Sequence, residues 1–273
     1  MERMPRRWRS IPAEEVQRKF DESTPEQYAS GGLGDGPYAL PPASSLVGKR
    51  FVFRFDSHEE LSYEFRDLHT LAFRQGELAQ EVFYQGHEIE EGVYFFVHII
   101  KGSVPPAFKV VVADTNTGLV TLTDAHFGNG YEAREVSRQF YFGRIAGDYP
   151  QTAALHGFTS DLVGKAVYWT YKEPMPPLKH IYSSEYYYSY VMVFGDHCWM
   201  ASNPADYIKI NDHLYIFTFV EERQAGTQGF FLINMNTLHD VGCFCGINGE
   251  EQFECYTVGA KGELTTMETY LGK

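Results

Sequence analysis

The sequence predicts a mainly-β protein in which two antiparallel β-barrel units follow one another, preceded by a short N-terminal helix. Short aromatic and β-branched runs separated by turn residues predict the strands. Helical periodicity is missing through those runs. A series of landmarks then occurs twice in the same order, which predicts two units rather than one.

Residues 10–23 carry Ser10 as a candidate cap, an early Pro12 and acidic residues in the first turn, the signs of a short helix start. Residues 30–45 run through Gly31-Gly32-Leu33-Gly34-Asp35-Gly36-Pro37 and Pro41-Pro42, too rich in Gly and Pro for regular structure. They read as a linker, or as a flexible cover over a barrel mouth. Strand signals follow at Phe51–Phe55, Gly92–Ile100 and Phe108–Val112.

Leu46-Val47-Gly48-Lys49 recurs as Leu162-Val163-Gly164-Lys165, and Val93-Tyr94-Phe95-Phe96 recurs as Leu214-Tyr215-Ile216-Phe217. Asp114-Thr115-Asn116-Thr117 recurs as Asn234-Met235-Asn236-Thr237. The offsets of 116, 121 and 120 residues keep order and spacing together. A period this long is that of a duplicated small sheet or barrel, not of a solenoid repeat. Closing the sheet solves its edge problem. The expected organisation is a helix and Gly/Pro-rich linker over 1–40, a first β unit over 41–150 and a second over 155–273.

Among 273 residues, 36 acidic against 23 basic side chains give a formal charge of −13, which repels phosphate backbones and anionic headgroups. Nucleic acid and membrane are therefore not expected partners, and no run approaches the roughly 20 apolar residues of a spanning helix. The basic segment 1–9 has no apolar block after it, so it is not read as a secretory signal. The four cysteines, Cys198, Cys243, Cys245 and Cys255, are too sparse for a disulfide scaffold and are expected as reduced thiols of a cytoplasmic protein. The many aromatic residues are compatible with a homodimer.

Leu-Val-Gly-Lys followed by an aromatic strand, Tyr63-Glu64 and then Glu91-Gly92-Val93-Tyr94 resembles the opening of phenolic acid decarboxylases, small calycin-fold lyases. The duplicated form, with its acidic Gly/Pro-rich preface, resembles the molybdenum cofactor biosynthesis protein F (MoaF) family, which pairs two such units. The resemblance covers most of residues 44–260 and implies two calycin- or lipocalin-like barrels. In the decarboxylases two tyrosines of the first strand hold the substrate carboxylate, a glutamate handles a proton and an arginine assists. Carried over, the tyrosine positions read Phe53 and Phe55 in the first unit and Trp169 and Tyr171 in the second; the glutamate positions read Ile100 and Glu221. Neither unit has an equivalent of the arginine. The first unit thus looks emptied of this chemistry, and the second keeps half of it.

A carboxyl group in an aromatic barrel can act as a general acid or base near neutral pH, which makes Glu221 a candidate with Tyr171 beside it. The bland alternative places Glu221, followed by Glu222 and Arg223, at a solvated strand end. Strict alternation puts Tyr182, Tyr186, Tyr188 and Tyr190 on one face with Ser184, either lining a cavity with rings and hydroxyls or packing outside it. His98 reads as a core or cavity histidine able to hydrogen-bond a ligand. Asp124 and His126 share a face without a visible nucleophile, a weak case for hydrolysis. Cys243, Cys245 and Cys255 with His239 match no common zinc spacing, so no metal is expected. The glycine run lacks the flanking strand and helix of a phosphate loop.

The expected function is a lyase or isomerase without a cofactor, acting on a small aromatic or conjugated acid. Glu221 moves the proton and Tyr171 binds the carboxyl or carbonyl group. Trp169 forms a wall, with Tyr186, Tyr188, Tyr190 and His98 completing the site. The alternative is a non-catalytic small-molecule-binding accessory protein, implied by the family name to belong to molybdenum cofactor metabolism. A third alternative makes one unit a scaffold for the other.

Overall fold

The computed structural model describes residues 10–150, 154–194, 197–221 and 226–267. The basic segment 1–9 and the pair Glu222 and Arg223 lie outside them. The described chain forms two compact units. One contains residues 10–28 and 40–157, the other residues 29–39 and the chain from 158 onward.

In the first unit, helix α1 (Ala13–Glu22) starts from Pro12, whose carbonyl accepts the amides of Glu15 and Val16, and not from the expected Ser10 cap. The fixed φ of proline suits a helix start, so no side-chain cap is used. Val16 and Phe20, one turn apart, are its buried face. A one-turn helix, α2 (Pro25–Tyr28), follows.

Eight strands then close a meander barrel: β1 (Arg50–Phe55), β2 (Leu61–Phe65), β3 (Thr70–Gln75), β4 (Leu78–Glu90), β5 (Val93–Ile100), β6 (Ala107–Asp114), β7 (Leu119–Phe127) and β8 (Val136–Ile145). Each strand pairs antiparallel with its successor, and β8 returns to β1 with Phe53 opposite Ile145. The closing pairs run over residues 53–55 of β1 and 143–145 of β8. The interior is aromatic, with Phe51, Phe53, Tyr63, Phe65, Phe73 and Phe96 in one cluster.

The second unit repeats the plan. It comprises β9 (Gly157–Phe158), β10 (Ala166–Thr170), β11 (Leu178–Ile181), β12 (Tyr187–Phe194), β13 (His197–Lys209), β14 (Leu214–Glu221), β15 (Thr227–Asn234), β16 (His239–Ile247) and β17 (Phe253–Thr265). Strands β10 to β17 close through β10–β17 pairing, and the two-residue β9 joins beside β13. The fold is therefore two tandem calycin-like antiparallel barrels after a short N-terminal helix.

The repeated landmarks do the same physical work in each barrel. Gly48 and Gly164 take φ of 82° and 86°, a left-handed conformation that favours glycine. Their amides donate to the carbonyls of Phe65 and Tyr182, each at the β2-type strand end. Asp114 and Asn234 each accept the amide two residues on, at 2.8 and 3.0 Å, closing the following turn with a side chain.

Strand β10 is short. It meets β17 only over Lys261–Thr265, so residues 253–260 of β17 have their strand partner in β16 alone. The segment 29–39 lies here. Gly31 sits against the Tyr256 ring and Gly36 against the Tyr171 carbonyl, both too close for a β-carbon, and Gly34 lies tightly against the Thr257 carbonyl. His239 Nε2 lies 2.8 Å from the Tyr38 carbonyl, and Asp35 pairs with Lys172. The glycines read as a linker thus form part of the second barrel's wall. Their sequence served close approach, not flexibility alone.

Candidate functional site

The second barrel encloses a cavity of about 280 Å³. Rings of Tyr188, Tyr190, Phe219, Phe231, Phe244 and Tyr256 line it, with Leu33, Met175, Leu178 and Met192 as aliphatic wall. Its polar lining is Tyr171, His180, Glu221 and the tyrosine hydroxyls. Alternation along β12 explains the tyrosines: Tyr188, Tyr190 and Met192 point inward, and Val193 is half exposed on the outside.

Glu221 closes β14 and faces the cavity half-buried. The Tyr190 hydroxyl donates to its Oε1 at 3.2 Å, and the Asn203 amide lies 3.5 Å from its Oε2. The same Asn203 amide donates to the Tyr188 hydroxyl at 3.3 Å. Two tyrosines, an amide and a carboxylate therefore form one polar edge on an otherwise apolar chamber.

Tyr171 lines the cavity, and its hydroxyl is 3.4 Å from Asp240 Oδ2. Asp240 is fully buried, and the Ala260 amide donates to its other oxygen at 2.7 Å. Burial pushes the Asp240 carboxyl well above the usual range, which outweighs the lowering by these two hydrogen bonds. Burial likewise raises the Tyr171 phenol well above its ordinary value, with the Asp240 charge adding to it. His180, on β11, is held down to about 3 by desolvation and is neutral at ordinary pH.

Of the residues singled out from the sequence, Tyr171, Tyr188, Tyr190 and Glu221 share this cavity. Trp169 does not line it: it is buried in the core below, its indole N–H 3.4 Å from the Tyr182 hydroxyl. Tyr186 is corrected to a surface residue, 70% exposed. It precedes β12, in a bend where Ser184 Oγ accepts its amide, so strand alternation does not reach it. His98 is corrected as well. It lies in the other barrel, buried, with Nε2 3.1 Å from the Tyr63 hydroxyl and a pKa lowered to about 3 by desolvation.

Asp124 is paired with Lys109 at 2.9 Å and lies 3.4 Å from His58, while His126 is exposed, so the supposed dyad does not form. Cys245 and Cys255 face each other across β16 and β17 and are joined as a disulfide, against the expectation of reduced thiols. Cys243 is a buried thiol and Cys198 an exposed one. No cluster of three metal-ligating side chains occurs among the described residues. No helix among them is long and apolar enough to cross a membrane.

Asn203, His180 and Asp240 went unnoticed in the sequence. Each is a single polar residue in a strand, and only ring closure brings His180 to the chamber wall, Asn203 beside Glu221 and Asp240 beside Tyr171. Their one available signal was a polar residue at an inward-alternating position.

Strand order and chamber together define a tandem calycin-type barrel protein with a ligand-sized cavity in its second unit. Family models make the assignment specific: that of the MoaF N-terminal domain matches residues 26–129, and that of the MoaF C-terminal domain matches residues 156–267. The chain belongs to the MoaF family. Comparison with curated proteins finds no match.

Proposed function

We propose that the second barrel is a cofactor-independent lyase or isomerase acting on a small aromatic or conjugated acid, with Glu221 as its general acid and base. The observation that carries this reading is the Glu221 carboxylate on the cavity wall, hydrogen-bonded by Tyr190 and within reach of Asn203. Those two donors orient the carboxylate and leave the chamber's rings to hold a flat ligand.

In an isomerisation, Glu221 takes a proton from the carbon between the carbonyl and an isolated double bond and returns it at the far end of the dienolate so formed, which moves the double bond into conjugation. In a decarboxylation, it delivers a proton to the ring-conjugated chain, and the carbon–carboxylate bond then breaks, its electron pair restoring the double bond as carbon dioxide leaves. In this reading the Tyr171 hydroxyl, which donates to Asp240, turns its hydrogen to the ligand's carbonyl or carboxyl oxygen on binding. The likeness to phenolic acid decarboxylases belongs to this proposal.

The competing reading is binding without turnover, as an accessory protein. It is favoured by the lining itself, which holds no Lys or Arg among the described residues to pair a ligand carboxylate. A thermal-shift screen of hydroxycinnamic and other aromatic acids, with ultraviolet absorbance followed over time, separates the two. Stabilisation with a changing spectrum is expected for the enzyme, and Glu221→Gln then lowers turnover at least about a hundredfold. Full activity in that variant removes Glu221 from the mechanism, and stabilisation with a static spectrum leaves the binding protein.

A further inference from the structure

One difference between the two barrels lies at a buried polar pair. In the first, Tyr63 lies two residues before Phe65, whose carbonyl accepts the Gly48 amide. In the second, His180 lies two residues before Tyr182, whose carbonyl accepts the Gly164 amide. Tyr63 and His180 therefore hold the same position. Tyr63 is satisfied internally, because its hydroxyl meets His98 Nε2 at 3.1 Å. His98 stands opposite Tyr84 and Lys109, and the matching place, opposite Ala205 and Gly229, is taken by Phe219. A phenyl ring offers no hydrogen bond.

His180 is left with a buried Nδ1 that has no hydrogen-bond partner among the described residues. Its ring lines the cavity and is packed edge-on by Tyr188 at 5.3 Å, Phe217 at 5.6 Å and Tyr182 at 6.3 Å. A neutral imidazole has one N–H and one bare nitrogen, and leaving either without a partner in a dry wall is unfavourable. Thr123 Oγ1 and His156 Nε2 of the first unit are also buried without a partner among the described residues, but of the three only His180 lines this cavity, where a ligand can supply what is missing.

We infer that His180 is the specificity-determining residue of the second barrel, supplying a hydrogen bond to a hydroxyl group carried by an aromatic ligand. This rests on reading the barrel as a ligand-binding unit. A hydroxyl satisfies either tautomer, donating to a bare nitrogen or accepting from an N–H, whereas an ether or carbonyl oxygen suits only one. The aromatic character of the ligand follows from the rings around it. A site built to meet a hydroxyl discriminates against the analogue lacking one, since its own polar group is then unpaired.

The test uses the purified full chain and two probes of nearly the same shape, p-cresol and p-xylene, titrated by ligand-observed NMR. The expected result is about tenfold tighter binding of p-cresol, with His180→Phe reducing the ratio to about one while p-xylene affinity holds. Nitrogen-15 spectra of the wild-type histidines supply a readout that needs no variant: the His180 ring resonances shift with p-cresol and stay with p-xylene. Equal affinity for both probes, or His180 resonances unmoved by p-cresol, overturns the inference and leaves the cavity as a ligand site. Binding of neither probe overturns the inference and the ligand-binding reading together.

Discussion

The first barrel and the second have the same strand order and the same turn landmarks, yet one is filled where the other is hollow. In the first, His98, Lys109 and Asp124 form a row across β5, β6 and β7. The same row across β14, β15 and β16 reads Phe219, Gly229 and Phe244. Lys109 fills its interior place with a long side chain, buried, paired to Asp124 and 5.9 Å above the Phe73 ring. Gly229 fills nothing, and its missing side chain leaves room for the Phe219 ring. Duplication thus produced one barrel whose row is filled by the paired Lys109 and Asp124, and one whose polar groups, Glu221 and His180 among them, face a chamber.

The largest expected effect comes from breaking the filled barrel's pair. Asp124→Ala strands the Lys109 ammonium, which is 1% exposed, and is expected to lower stability by about 3 kcal/mol in urea unfolding. Replacing both, as Lys109→Met with Asp124→Leu, recovers most of the loss. A single variant without measurable cost would show that the pair is not what fills this barrel.

Next comes the hollow barrel made to resemble the filled one. Gly229→Leu directs a side chain into the Phe219 ring, since even a β-carbon there would lie 2.6 Å from it. Overpacking of this kind costs about 1–3 kcal/mol, and binding of any cavity ligand is expected to fall at least about tenfold. Unchanged affinity in a folded variant would place the ligand elsewhere.

The two barrels should also respond oppositely to pH. Burial depresses His87, and takes His98 to about 3 and His156 to about 4, all in the first unit. Between pH 6.5 and 4.5 the unfolded chain takes up protons at these sites that the folded one refuses. Acidification therefore destabilises this unit, by up to about 1.4 kcal/mol per pH unit for each histidine. The second unit has His180 acting in that sense, against Asp240, raised well above its usual value, and Glu254, raised to about 7, both through burial. A carboxyl whose folded pKa is raised stabilises at low pH and loses that contribution as pH climbs, so this unit should gain stability on the same acidification. Both tryptophans within the described residues, Trp169 and Trp199, belong to it. Fluorescence-detected unfolding then reports the second barrel and circular dichroism both; coincident slopes would refute the contrast.

The smallest effect is expected at the segment that completes the hollow barrel's wall. Lys172→Ala removes a largely exposed ion pair to Asp35 and should cost under about 1 kcal/mol of stability. Ligand dissociation should quicken if the segment 29–39 gates the chamber, with Leu33→Ala acting in the same direction.

Much of this contrast was legible in advance. In the sequence Phe53, Phe55 and Ile100 are apolar where the second unit has Trp169, Tyr171 and Glu221, and of these Tyr171 and Glu221 line the cavity. His98 was misplaced because a histidine in an apolar strand looks the same whether its partner is a ligand or, as here, Tyr63 from another strand. Tyr186 was misplaced because period-2 alternation was extended past the start of β12.

What the sequence by itself determined was the strand-rich composition, the duplication and its near-120-residue period, and the turns set by Gly48, Gly164, Asp114 and Asn234. These are local or periodic properties, written in consecutive residues. Only the tertiary structure decided which face of each strand lies inside, that residues 29–39 complete the second barrel's wall, and that Glu221, Tyr190, Asn203, His180 and Asp240 gather in one barrel interior. Those depend on ring closure and pairing register between strands far apart in the chain, and a shift of one residue in register would turn every one of these side chains outward.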